Sequence, residues 1–289
     1  MKKIAIDPAG LVLIFWAVAN GAPAAMAEVV SFDSAADLAK FNVGGSGVQL
    51  VSAGIGGSGA IRDNAQNNFN SSTLTYQPQS FDMSAVADSI SLSVMFLYKS
   101  VTHLSTGGGV GASPVTLNVS GDPNPPDRFS NGITAEYAVV QFAPNQSVTH
   151  HILMEGYQNG SGAGLDFSIS PLIDGHWYQL ASTFSLTTVS GQPRNGFTVT
   201  LSDFGLTGGQ LQSVNFQKTA TSALFAPVLQ DSTVWAGFTT ELPFGTGADR
   251  VDNFTISVPE PSGLVLGTLA LVSFAAARRR VKRAIRSSG

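Results

Sequence analysis

The chain contains no cysteine, and this absence excludes two common ways of holding a protein in place. Without a cysteine beside an N-terminal leader, the chain cannot carry a lipid anchor of the lipobox type. Without cysteine pairs, no disulfide framework can support the fold, so the body must depend on an apolar core. Residues 28–257 are numerous enough to bury one, and all-β domains of this size commonly remain single.

Basic residues are scarce in that body. Of the fifteen Lys and Arg residues in the chain, seven lie between residues 28 and 257, against seventeen acidic residues, a net charge of about −10. A surface of this sign repels anionic polymers, so we expect no nucleic acid partner. Neutral glycans, cations and cation-bridged anions remain open as ligands.

The N-terminal segment has the three parts of an export signal. Lys2 and Lys3 precede an apolar segment at residues 9–19, and an Ala-x-Ala site follows at Ala25 and Ala27. This order is typical of a secretory signal peptide. We expect the Sec translocon to export the chain and signal peptidase to cleave after Ala27, so that residues 1–27 are the signal peptide.

The C-terminal segment, residues 258–289, also has three parts. Pro259, Glu260 and Pro261 come first, and the two prolines favour an extended backbone that another protein can reach. The apolar run of fifteen residues at 263–277 spans ~22 Å as a helix, short of the ~30 Å hydrocarbon core of a membrane. Arg278, Arg279 and Arg280 follow it, and arginines in this position are retained on the cytoplasmic side. The body is therefore expected to face away from the cytoplasm.

This Pro-Glu-Pro, apolar helix and arginine cluster resembles the PEP-CTERM sorting signal of Gram-negative bacteria. The resemblance implies that exosortase, a membrane cysteine transpeptidase, processes the chain near Pro259-Glu260-Pro261. The short transmembrane helix would hold the protein in the inner membrane only transiently, before it reaches the cell surface or the extracellular matrix. A permanent membrane anchor is the alternative.

The body itself is predicted to be all-β. In residues 89–98, Ile90, Leu92, Val94, Phe96 and Tyr98 alternate with polar residues, which indicates a strand with one buried face. Further predicted strands are Val115 to Val119, Ala135 to Phe142, His150 to Glu155, Leu165 to Ile169, Trp177 to Leu186, Phe197 to Leu201, Ser213 to Phe216, Val234 to Phe238 and Val251 to Val258.

Turn residues separate these strands. Residues 44–60 suit tight turns around short strands, and residues 34–39 favour one helical turn. Residues 106–109, 121–126 and 159–162 are rich in Gly, Pro and Asn and are predicted to be loops. These intervals between strands predict one antiparallel β-sandwich over residues 28–257.

Two stretches resemble the concanavalin A-like and laminin G-like jelly rolls. Residues 174–184 match their Gly-x-Trp-Tyr-x-Leu strand, and residues 235–238 with 249–256 are similar to their closing strands. The resemblance implies two facing curved sheets, which in that class often bind carbohydrate on the concave side and sometimes bind calcium.

Catalytic patterns are absent from the sequence. Polysaccharide-cutting enzymes of this fold carry a Glu-x-Asp-x-x-Glu strand, whereas Glu28, Glu136, Glu155 and Glu241 are isolated along the body. There is no Gly-x-Ser-x-Gly elbow to present a nucleophile. The chain is therefore predicted not to be an enzyme, with a glycan-active enzyme of unrecognised type as an alternative.

A histidine metal site is also disfavoured. In a strand, His151 and Glu155 share a face but lie ~13 Å apart, too far to bind one ion. We expect His150 and His151 to be solvated side chains of a strand.

Calcium is the one metal for which the sequence supplies candidate ligands. Asp249, Asp252 and Asn253 cluster hard oxygen ligands near the end of the body. The alternative is that Asp249 and Asn253 cap a turn while Asp252 pairs with Arg250. No other cofactor is expected.

Aromatic side chains are candidates for glycan contact, because an aromatic face stacks on a sugar ring. Trp177 and Trp235 lie in predicted strands, where a core position is the alternative, and Tyr157 lies beside the predicted 159–162 loop. The sequence thus predicts an exported β-sandwich with a structural or adhesive role in an extracellular polysaccharide matrix. A lectin-like carbohydrate-binding module is the alternative.

Overall fold

Alternating apolar strands form two facing β-sheets in this protein, as seen in a computed structural model. The structure describes residues 26–45, 47–63, 71–84, 88–100, 106–113, 132–140, 147–158, 161–222, 233–241 and 250–258. Residues from Ala27 to Val258 belong to one unit of mutual contacts.

Strands dominate the described residues, with one short α-helix, α1 (Ala35–Leu38), and one 3₁₀ turn (Ile55–Gly57). The strands are β1 (Met26–Val30), β2 (Phe41–Gly45), β3 (Val48–Val51), β4 (Ala60–Asp63), β5 (Ser71–Tyr76), β6 (Ser89–Leu97), β7 (Thr106–Ser113), β8 (Ile133–Val140), β9 (Thr149–Gln158), β10 (Ser161–Ile169), β11 (Trp177–Val189), β12 (Gln192–Asp203), β13 (Ser213–Ser222), β14 (Trp235–Glu241) and β15 (Val251–Val258).

The strands pair into a sandwich. Sheet A has the order β13-β12-β11-β6-β15-β4-β3, with β1 also paired to β15. Sheet B has the order β10-β9-β8-β7-β14-β5-β2. Successive neighbours in both sheets run antiparallel. The predicted fold class, an antiparallel β-sandwich of the jelly-roll type, is confirmed.

The core lies between the two sheets and follows the period-two pattern. Ile90, Leu92, Val94 and Phe96 of β6 are all buried in it, so the strand predicted from their alternation is confirmed. A group of aromatic rings closes one region of this core, with ring centroids 5.3 to 6.3 Å apart. Its members are Phe32, Phe41, Tyr76, Phe238 and Phe254.

The predicted helical turn is also present. Ser34 caps α1, accepting from the backbone N–H of Asp37, while the Asp37 side chain accepts from the backbone of Ser34. This reciprocal capping box satisfies two amide groups that a four-residue helix would otherwise leave open.

One predicted loop is wrong. Thr106 to Gly109 form the first half of β7, in the middle of sheet B, where β7 pairs with β8 and β14. A glycine run usually breaks a strand because glycine has no side chain to pack. Here the neighbouring strands leave no room for one, as the site geometry shows.

Several predictions concern residues outside those described. They include the strand at Val115 to Val119, the 121–126 loop, Ala25 of the signal peptide, and the whole tail with Pro259, Glu260, Pro261, Arg278, Arg279 and Arg280. Ala27 lies in β1. Within the described ranges, no helix has the length and hydrophobicity needed to cross a membrane.

Candidate functional site

The outer face of sheet B carries an unusual set of side chains. In β7, Val110 and Ala112 point into the core, so the alternate residues Gly109 and Gly111 lie on the outer face. In β14 the same alternation places Gly237 outside, between the core residues Ala236 and Phe238. We call Gly109, Gly111 and Gly237 the glycine floor.

Polar residues flank the glycine floor in register. One row crosses six strands, from β9 to β2, and consists of Glu155, Thr134, Gly111, Gly237, Thr75 and Asn42. The next row crosses four strands, from β8 to β5, and consists of Glu136, Gly109, Thr239 and Thr73. In both rows the central positions are small residues, and residues with hydroxyl, amide or carboxylate groups lie on either side of them.

These polar residues are buried although they face away from the core. Thr75 and Thr134 are each 1% exposed, and Glu136 is 6% exposed. Among the residues that the structure describes, the hydroxyls of Thr75 and Thr134 have no hydrogen-bond partner. They lie three strand intervals apart, roughly 14 Å, with Gly111 and Gly237 between them. Burying an unpaired hydroxyl raises the free energy of the folded state, so these two threonines reduce stability in the free protein.

The glycines of the floor are required by close contacts. A Cβ added to Gly109 would lie 2.7 Å from the carbonyl oxygen of Ala135 and would overlap the Cγ atom of Glu136. A Cβ added to Gly237 would overlap the carbonyl oxygen of Leu74. The Cγ atom of Glu136 therefore occupies the space that a side chain at position 109 would fill.

The three aromatic candidates have different environments. Trp235 is half-buried, begins β14 opposite Ser113, and lies on the outer face of sheet B with Gly237. Trp177 is 4% exposed and packs with Met95 and Leu97 in a small second cluster on sheet A, so it is a packing residue. Tyr157 lies in β9, and its side chain is outside the described part of the structure.

The histidines differ from the expectation of solvated strand residues. His150 is 6% exposed, and its Nδ1 accepts a hydrogen bond from the backbone N–H of Leu172 at 3.3 Å. Burial, followed by the nearby His151, lowers the pKa of His150. His151 is partly exposed and contacts Asp166 at 2.8 Å. The prediction of a solvated side chain is therefore wrong for His150, because its ring packs beside Tyr98.

The candidate calcium ligands are only partly described. Asp249 lies outside the described residues, whereas Asp252 is fully buried. One Asp252 oxygen accepts from the N–H of Ile55 and the hydroxyl of Ser58, both at 2.9 Å, and the other accepts from the N–H of Asn253 at 2.7 Å. These three donors engage both oxygens of the carboxylate. Calcium ligation by Asp249, Asp252 and Asn253 stays a prediction.

The alternative suggested by the sequence also needs correction. The guanidinium of Arg250 donates to the carbonyl of Ala53 at 3.2 Å rather than pairing with Asp252. Asn253 has a φ of 47°, at an irregularity in the pairing of β15 with β6. This irregularity directs Asp252 toward the 3₁₀ turn and Phe254 into the core. Burial raises the pKa of Asp252, and its three donors oppose that rise.

Comparison with known proteins shows the architecture. No family model matches the chain, and no curated protein matches it. Peanut lectin, solved with a nine-residue peptide, is similar with a TM-score of 0.52 and 12% identity, over 82% of this chain and 99% of that chain. Lectin II from Ulex europaeus is similar with a TM-score of 0.51 and 12% identity, over 81% of this chain and 98% of that chain. The fold is a concanavalin A-like jelly roll.

Sequence reasoning missed the glycine floor and the polar residues beside it. The available signal was the period-two spacing of Gly107, Gly109 and Gly111 against Val110 and Ala112, which is a strand pattern with glycine as its outer residue. Thr75 and Thr134 are 59 positions apart in the chain. Only the strand order brings them to one face.

Proposed function

We propose that this protein binds carbohydrate on the glycine floor of sheet B. The observation that carries the proposal is the pair of buried hydroxyls, Thr75 and Thr134, that face the floor and have no hydrogen-bond partner among the described residues. A hydroxyl group both donates and accepts, so a sugar hydroxyl can satisfy each of them. The free energy lost by burying them in the free protein would be recovered on binding.

The surrounding groups supply the other interactions that sugar recognition needs. Glu136, whose Cγ lies against Gly109, carries a carboxylate that can accept from sugar hydroxyls in charge-assisted hydrogen bonds. Trp235, four residues from Thr239 along β14, offers an aromatic face to the C–H side of a sugar ring. Gly111 and Gly237, which carry no side chains, lie in register between the two threonines.

The fold supports this proposal. Both similar structures described above are lectins, and a site with a few convergent polar groups is a common form of ligand site. Because the identities are 12%, the choice of site depends on the residues of this chain and not on the likeness.

A glycan array with the full-length protein tests the proposal. The combined change Thr75→Val and Thr134→Val removes both hydroxyls and keeps the side-chain shape. We expect it to weaken every saturable oligosaccharide signal by roughly tenfold or more, while the melting temperature stays equal or rises.

Ser182→Ala is the matched control. Ser182 is 3% exposed and its hydroxyl also has no partner among the described residues, but it faces the core between Leu180 and Phe184. We expect this change to stabilise the protein without altering oligosaccharide binding on the glycine floor. Saturable oligosaccharide binding that survives the double valine variant would refute the proposed site, and the absence of any glycan signal would refute the function.

We also infer that the protein binds glycans without cleaving them. Glu136 leans over Gly109, while a Cβ at Gly164 would lie 2.7 Å from the Cγ of Glu155, so Glu155 leans over β10. These two carboxylates thus lean toward opposite sides, which is a poor arrangement for acting together on one bond. The appearance of new reducing ends in a glycan incubated with the protein would favour the alternative of a glycan-active enzyme.

The proposed setting is the cell surface or extracellular matrix of a Gram-negative bacterium. We propose that exosortase processes the chain at Pro259-Glu260-Pro261 and that matrix polysaccharide is the ligand there. The supporting observations are the two terminal signals in the sequence. Replacing the three residues with alanine should leave a precursor in the inner membrane, and normal release of that variant would contradict the proposal.

A further inference from the structure

The outer face of sheet A carries hydroxyl groups in register across five strands. The row runs from β13 through β12, β11 and β6 to β15, and each strand contributes one hydroxyl residue to it. Its members, which we call the hydroxyl row, are Thr219, Thr198, Thr183, Ser91 and Ser257. Neighbouring strands lie ~4.8 Å apart, so the row repeats at that interval over roughly 19 Å.

The side chains of this row face solvent and not the core. Phe184 and Phe197, which neighbour Thr183 and Thr198 in the chain, are buried between the sheets, so the threonines point the other way. Thr183 and Thr198 are partly exposed, and Thr219 is exposed. The row is therefore open to a ligand.

Two hydrogen bonds orient the row. The hydroxyls of Ser91 and Thr183 are 2.7 Å apart, and those of Thr198 and Thr219 are 3.1 Å apart. Each hydroxyl has one hydrogen and two lone pairs, so a single bond to a neighbour leaves further capacity directed at solvent. Short side chains also lose little conformational entropy when a ligand binds.

A hollow lies along the row and the adjacent residues. Its volume is about 200 Å³. Beside the row it is lined by Thr200, Ala181, Ser93 and Thr255, which form a second register across β12, β11, β6 and β15. Small side chains on four neighbouring strands thus form a shallow trough that crosses the strands.

None of the described residues that line this hollow carries a charge. Protein surfaces usually carry Lys, Arg, Glu or Asp at about a quarter to a third of positions, so an uncharged face of this extent is a departure from the norm. The only basic residue of β13, Lys218, lies over the ring of Phe167 on the other side of the strand. An ionic ligand would find no countercharge in this trough, whereas an uncharged ligand rich in hydroxyls would find a partner on each strand.

We propose that the hydroxyl row binds an uncharged, extended polysaccharide chain lying across the strands of sheet A. The site is separate from the glycine floor, because it lies on the opposite sheet. It goes beyond the proposed function by assigning a second ligand class, a long neutral chain rather than a single sugar group. Two sites on opposite faces allow one protein molecule to bridge two glycans, which raises avidity without any new contact.

Affinity electrophoresis of the full-length protein tests this inference, with hydroxyethylcellulose, mixed-linkage β-glucan and dextran as neutral probes and alginate as an acidic one. We expect at least one neutral polymer to retard the wild-type protein, and alginate not to. Thr183→Arg places a long charged side chain in the middle of the row and should abolish the retardation. Thr198→Val removes one hydroxyl with little change of shape and should reduce it by a few-fold.

The double variant Thr75→Val and Thr134→Val separates the two sites. It should be retarded like the wild type, although it loses oligosaccharide signals on an array. Retardation lost in this variant but kept in Thr183→Arg would place the polymer on the glycine floor and overturn the inference. The inference would also be overturned if no neutral polymer retarded the wild-type protein. It would equally be overturned if the protein bound no polymer but formed a dimer that Thr183→Arg dissociated. Circular dichroism and melting temperature show whether each variant is folded.

Discussion

The side chain of Glu136 lies above Gly109, the residue directly opposite it on the neighbouring strand. Glu136 is 6% exposed, and its Cγ atom lies beside the floor of the proposed glycan site. Because a Cβ at position 109 would overlap the Glu136 side chain, the conformation of Glu136 depends on the identity of its neighbour.

Gly109→Ala should therefore affect both stability and binding. The added methyl would lie 2.7 Å from the Ala135 carbonyl oxygen, and relieving such overpacking costs about 1–3 kcal/mol. We expect a lower melting temperature and a loss of glycan binding as Glu136 is displaced. Gly209→Ala is the control, since its added Cβ would meet only the Thr207 hydroxyl, at 3.8 Å. An unchanged melt and glycan signal for Gly109→Ala would contradict this account.

Asp252→Asn should destabilise the fold without involving calcium. An asparagine offers one oxygen and turns its NH₂ group toward a donor, so at least one of the three bonds from Ile55, Ser58 and Asn253 is lost. We expect a loss of about 1–3 kcal/mol in the free energy of unfolding, measured by chemical denaturation.

Ser58→Ala provides a graded comparison, because it removes one donor and should cost about 1 kcal/mol. Both losses should be equal in excess calcium and in chelator. A wild-type melting temperature that falls in chelator, with no calcium response left in Asp252→Asn, would show that Asp252 binds the ion after all.

The strands that sequence reasoning found are those whose two faces differ in polarity. The first half of β6 alternates apolar core residues with serines, and β15 contains Asn, Thr and Ser between its core residues. β15 was predicted with its observed bounds, Val251–Val258. β7 was missed because its outer residues are glycines and its inner residues are as small as Ala112. Because small residues occupy both faces of β7, hydrophobicity along the strand shows no clear period of two.

The site could not be predicted because its residues meet only through strand order. Thr75, Gly237 and Gly111 come from three separate regions of the chain, and the order β8-β7-β14-β5 places them side by side. The contact between Ser58 and Asp252 joins residues 194 positions apart. Local patterns define each strand but not its neighbour.

His150 should make stability depend on pH. Burial lowers its pKa below the ordinary value, so between that lowered pKa and ~6.5 the unfolded chain binds more protons than the folded one. Stability contributed by neutral His150 is therefore complete above ~6.5 and is lost as the pH falls toward the folded-state pKa. Protonation of Nδ1 would also remove the acceptor of the hydrogen bond from the backbone N–H of Leu172.

Thermal melts of the wild type and of His150→Asn from neutral to mildly acidic pH measure this effect. Asparagine keeps an acceptor near the Nδ1 position but does not titrate. We expect the wild-type melting temperature to fall more steeply than that of the variant below pH ~6.5. Parallel curves for the two proteins would contradict the assignment to His150.

Substitution by alanine should mainly reduce stability at Trp177 and mainly reduce glycan binding at Trp235. Trp177 packs with Met95 and Leu97, and Ile55 and Phe204 cover this cluster, so Trp177→Ala should cost about 3–5 kcal/mol of stability. Trp235 is half-buried on the outer face of sheet B beside the glycine floor. Trp235→Ala should cost less stability but weaken glycan binding by several-fold, about 1 kcal/mol of aromatic stacking. Denaturation and glycan titration on both variants measure the contrast, and equal glycan affinity in Trp235→Ala and the wild type would remove Trp235 from the site.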